Sequence, residues 1–127
     1  MARDIYSQIY KKIDLLTGGI LNFISSPEGY LKLKSTGYMD LIIERLGHDT
    51  VSIAHYYEQN GDLVADPEIT VKIDFDNCTA EALTFQNFMG FYTVYPEADK
   101  VNLKLKKTLN SFLNYWLTNL KEQGFYQ

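Results

Sequence analysis

The 127-residue chain, 46% apolar and 22% charged, reads as one globular domain spanning residues 1–127, large enough to bury a core without metal or disulfide staples. Its single cysteine, Cys78, excludes an intrachain disulfide and a cysteine zinc cluster, and no run approaches the ~20 apolar residues of a membrane span. The net charge of −4 hides an asymmetry, because residues 58–99 carry nine acids and one base, Lys72; that surface would repel phosphates, so direct nucleic-acid binding is not expected.

The N-terminus lacks the apolar core of a signal peptide, and a cytoplasmic location without membrane contact is expected. Ile5, Ile9, Ile13 and Leu16 recur at helical spacing, with Asp4 in the first turn and Thr17-Gly18-Gly19 as the stop. Ile20, Leu21, Phe23 and Ile24 are too apolar for a free linker and are expected to cover an edge of the core before the Ser25–Gly29 turn.

The middle alternates with a period of two. Leu31 and Leu33, then Met39, Leu41 and Ile43, then Val51, Ile53, His55 and Tyr57, then Ile69, Val71, Ile73 and Phe75 mark successive strands, and 79–85 is a candidate fifth. Asn60-Gly61 predicts a tight hairpin, since both central residues of a type I′ turn need φ > 0. Pro67 cannot donate to a ladder, so a bulge or irregular crossing is expected there. Residues 87–96, dense in aromatics, are read as a bent strand or a loop over the core; if exposed, they would form a partner-binding patch with an acidic rim. Val101, Leu105, Leu109, Phe112, Leu113, Trp116, Leu117 and Leu120 then form a helical apolar stripe, with Gly124 beyond its end. The predicted class is α+β: an N-terminal helix, an antiparallel meander of four to five strands, and a long C-terminal amphipathic helix packed on one sheet face.

Chemistry concentrates near the Asn60-Gly61 hairpin, where His55, Tyr56, Tyr57, Glu58, Asp62, Asp66 and Glu68 form the candidate binding set. Strand alternation places His55 and Glu58 on opposite faces, which counts against a metal pair, and no cofactor is expected. Asp74-Phe-Asp-Asn77 opens like a calcium loop but has Thr79 and Phe85 where glycine and glutamate belong. Cys78 has no local catalytic partner, and neither a nucleophile elbow nor a phosphate-binding glycine loop occurs, so no catalytic residue is assigned. Lys100, Lys104, Lys106 and Lys107 read as a solvated helix face.

Gly37-Tyr-Met-Asp-Leu41, His55-Tyr-Tyr-Glu-Gln-Asn-Gly-Asp-Leu63, Asp66-Pro-Glu68, Ala82-Leu-Thr-Phe-Gln86 and the Leu109–Phe125 pattern carry a resemblance. From about Gly29 to Phe125 the chain resembles a family of small uncharacterised domains encoded on conjugative elements and phages of Gram-positive bacteria. The resemblance implies a bacterial, mobile-element setting and supplies no catalytic residues. The functional expectation is a non-enzymatic protein-interaction module with a protein partner. Its sharper form is an inhibitor that presents the acidic surface to a host defence nuclease. The alternative is a small-ligand or metal-binding domain, or weak hydrolase, centred on His55.

Overall fold

The computed structural model describes residues 4–126. Helix α1 spans Ile5–Thr17 and starts at Asp4, whose carboxylate accepts the Ser7 N–H at 2.9 Å. Asp4 is therefore the N-cap, one position before the first turn where the sequence pattern put it. Gly18, at φ 74°, closes α1 in the left-handed region. The apolar segment after it is a one-and-a-half-turn helix, α2 (Ile20–Ser25), which buries Ile20 and Phe23.

Six strands follow, all antiparallel and in sequence order: β1 (Tyr30–Leu33), β2 (Leu41–Arg45), β3 (Thr50–Gln59), β4 (Asp62–Asp74), β5 (Thr79–Asn87) and β6 (Gly90–Thr93). The expected four to five strands are thus six. The addition is β6, which returns along β5 from a turn in which Asn87 Oδ1 accepts the Met89 N–H at 2.9 Å. That side-chain-to-backbone bond two residues on is the local device that reverses the chain.

Leu31, Ile43, Ile53, Ile69 and Phe85 stand side by side across five strands, and the row ends on Tyr92. Val51, Val71 and Ala82 form the next row. Apart from the exposed Tyr92, these side chains share one core with Ile9, Ile13 and Leu16 of α1 and with the C-terminal helix α3 (Leu103–Glu122). Within α3 the fully enclosed residues are Leu109, Asn110, Leu113, Trp116, Leu117 and Leu120. Val101 lies ahead of the helix and is exposed, and Phe112 is only part covered.

Polar bonds tie α3 to its neighbours. Asn110 Oδ1 accepts the Ala82 N–H of β5 at 2.7 Å, which satisfies a backbone donor inside the core. Lys12 of α1 donates to Asn114 Oδ1 at 2.7 Å. At the other end of the sheet, Arg45 gathers the α2–β1 turn by donating to the Ile24 carbonyl at 3.0 Å and to that of Ser26.

Candidate functional site

β3 and β4 are longer than the strands beside them. The β2–β3 ladder stops at Leu41 and His55, and the β4–β5 ladder stops at Glu68 and Gln86. Beyond those points Tyr56, Tyr57, Glu58 and Gln59 pair only with Ala65, Val64, Leu63 and Asp62. The result is a two-stranded arm that extends the sheet by about 13 Å before its turn. Asn60 at φ 54° and Gly61 at φ 85° form the turn, as the Asn-Gly pair predicts. At the root of the arm the ladder slips: Ala54 faces Glu68 and Tyr56 faces Ala65, so His55 alone opposes Asp66 and Pro67. This bulge absorbs the proline that has no N–H to give.

The seven candidate residues divide three ways. His55 faces the core and is 8% exposed. Its ring lies 5.6 Å from that of Trp116, edge to face, and 5.6 Å from that of Phe125. Nδ1 is 3.1 Å from the Asp40 carbonyl oxygen, and because a carbonyl only accepts, Nδ1 carries the hydrogen. Tyr56 and Glu68 meet on the opposite face, where the phenol donates to Glu68 Oε2 at 3.2 Å. Burial, then the negative charge of Glu68 and its hydrogen bond, pushes the Tyr56 phenol up to about 12. Glu58 and Asp62 are exposed near the tip, with Tyr57 half-buried and Asp66 half-buried at the root. Between residues 56 and 67 there are three acids and no base.

The acidic stretch of sequence does not form one surface. Asp74 ends β4, twelve residue steps or about 40 Å from Asp62, and Asp76 lies in the turn just beyond it. They border a cleft of about 630 Å³ that also takes in Asp49, Lys72 and Lys106. Glu81 pairs with Lys106 at 3.2 Å, and Glu97 with Lys100 at 3.4 Å. Lys106 is therefore not simply solvated. Its ammonium donates to Tyr95 Oη at 3.1 Å, and that bond, with the Glu81 charge, raises its pKa above the ordinary lysine value. The Tyr95 phenol also donates to Glu81. Among the described residues no three His, Cys, Asp or Glu side chains are grouped to hold a metal ion.

Of residues 87–95, only the last part packs on the core, through Val94 and Tyr95, while the hairpin before it is largely exposed. Phe88, Met89, Phe91 and Tyr92 are 70%, 74%, 61% and 45% exposed, and only Val94 is fully enclosed. The β5–β6 hairpin stands on the rim of the sheet, and Tyr92 looks onto an apolar groove of about 310 Å³ formed with Phe85, Leu105, Leu109 and Phe112. The Asn87 and Gly90 bracket was the readable signal for this turn.

The chain matches a family described as a domain of unknown function, DUF6908, over residues 5–126, and it belongs to that family. No curated protein and no solved structure matches it. Among the described residues no helix is long and apolar enough to cross a membrane.

Proposed function

We propose that this member of the DUF6908 family is a protein-interaction module that engages its partner through the β3–β4 arm. The observation that supports this most is that residues 56–65 pair only with each other, beyond the reach of β2 and β5. A lone two-stranded ribbon is marginal in water and adds little to the core. Its value therefore lies in what it presents: the half-buried Tyr56 and Tyr57 at its root and an acidic tip formed by Glu58 and Asp62. In this reading α3 backs one sheet face as a rigid support, and the arm reaches into a basic recess of another protein.

The mobile-element setting and a cytoplasmic location belong to the same proposal. So does the sharper version, inhibition of a host defence nuclease by an arm that enters its nucleic-acid groove. That version rests on the arm alone, because Asp74 and Asp76 lie at the other end of the sheet. The alternative centred on His55 has less support, since the ring is packed between Trp116 and Phe125 and bonded to Asp40.

Affinity capture from bacterial lysate tests the proposal, with the wild-type chain compared against Glu58→Lys/Asp62→Lys. Both positions are exposed, so the variant should melt within about 0.5 kcal/mol of wild type. A stoichiometric protein held by wild type and lost by the folded variant is the expected result. Equal recovery by both chains would refute an arm-mediated contact.

A further inference from the structure

The geometry points to a second interface, separate from the arm, in which two copies of this chain join through β6. β6 is the last strand of the sheet, and among the described residues its outer side has no partner strand. Exposed edges are normally blunted by lysine, proline or a bulge. From Gln86 to Tyr95 there is no charged residue and no proline. The β5–β6 ladder also runs without a register break from the Asn87–Gly90 pair to the Thr84–Thr93 pair. The edge is therefore neutral and free of lysine, proline and bulge, with only its four-residue length to limit pairing.

Its side chains are apolar on both faces. Phe91 lies in the row of Glu68 and Gln86, and Tyr92 lies on the opposite, core-side face beside Phe85. Phe88, Met89, Phe91, Tyr92 and the 39%-exposed Phe112 together present on the order of 600 Å². This apolar surface, divided between the two faces and the hairpin tip, is at the upper end of what a monomer leaves in water. With the backbone edge added, the surface approaches the about 800 Å² per partner of a standard interface.

A second copy fits better than a foreign partner because the edge is its own complement. A two-fold axis perpendicular to the sheet pairs β6 antiparallel with β6 of the other molecule and keeps the faces matched. Phe91 then meets the apolar side chains of its counterpart on one face. On the other, the partner's hairpin tip, Phe88-Met89, comes up to the groove under Tyr92. The sheet becomes twelve strands with β1 at each end. The acidic chain does not oppose this contact strongly, since the strand itself is neutral, Glu97 and Glu81 are paired with lysines, and Glu68, two strands away in the row of Phe91, accepts a hydrogen bond from Tyr56.

Sedimentation equilibrium on the intact chain, from about 1 to 100 μM, tests the inference. The expected mass is twice 14.7 kDa at the upper end of that range. Phe91→Glu should shift it to a monomer with an unchanged thermal midpoint. Phe88→Glu, in the exposed turn, should do the same if Phe91→Glu does not fold. Glu58→Lys/Asp62→Lys should remain dimeric, which separates this interface from the arm. A wild-type monomer throughout the range, or a dimer that survives both β6 substitutions in folded protein, overturns it.

Discussion

His55 sits where the arm leaves the sheet, and its contacts explain why a histidine is tolerated inside. The apolar ring faces fill the space between Trp116 and Phe125, and the one N–H that must be satisfied is given to Asp40. His55→Ala opens that space and removes the donor from the Asp40 carbonyl. We expect a loss of about 2–4 kcal/mol in urea unfolding, with partner capture retained once the protein is folded. A variant as stable as wild type would show that the ring is not a packing element. Tyr56 gives a second residue-level expectation. Tyr56 and Tyr126 are both held up to about 12, chiefly by burial, and Tyr126 Oη has no hydrogen-bond partner among the described residues. The unfolded chain loses these protons near 10, so the stability they contribute is present below pH 10 and falls as pH rises from about 10 to 12. Absorbance titration at 295 nm should show late-ionising tyrosines, one fewer in Tyr56→Phe. Tyr56→Phe with the same late fraction would contradict the assignment. Strand alternation was enough to place His55 and Glu58 on opposite faces. It could not supply Trp116, Phe125 or Asp40, which only the folded chain brings to the ring.

At the scale of elements, the legible parts were those with a clean period. The 3.6-residue stripe marked α3, and the two-residue alternation of large apolar residues marked β3 and β4, although in β3 the small Ser52 and Ala54 of the other face are buried as well. β6 was obscured because Phe91 and Tyr92 are apolar on both faces, so no alternation appears. The arm was legible only as a turn: Asn60-Gly61 marked the reversal, but Leu63, Val64 and Ala65 give no alternation, and only the lengths of β2 and β5 show that no strand flanks it. Two substitutions test the elements. Trp116→Ala, in the enclosed stripe of α3, should cost about 3–5 kcal/mol by thermal or urea unfolding. An unchanged midpoint would refute the docking of α3 through that stripe. Gly29→Ala should strain the α2–β1 joint. Gly29 has φ 58°, and an added Cβ would lie 2.8 Å from Arg45 Cζ, displacing the guanidinium from the Ile24 and Ser26 carbonyls. A loss of about 1–3 kcal/mol is expected, and a neutral result would show that Arg45 does not hold the turn.

Across the whole molecule, charge is organised by the long strand β4. Its N-terminal end carries the acidic arm, its C-terminal end carries Asp74 and Asp76, and lysines neutralise Glu81 and Glu97 between α3 and the sheet rim. The total charge was readable from composition, but its division into separate groups needed the fold. An interaction led by the arm should therefore be salt-sensitive. Raising salt from 0.1 to 1 M shortens the Debye length from about 10 to about 3 Å, and partner recovery should fall with it. Recovery that is unchanged at 1 M salt would contradict an acidic tip as the leading contact. The most direct measurement is amide hydrogen exchange on the free chain and on the captured complex. Amides of residues 56–65 should exchange faster than those of Val51–Ile53 and Ile69–Ile73 in the free protein and become protected when the partner binds. Protection elsewhere in the complex, with the arm exchanging as before, would contradict the account.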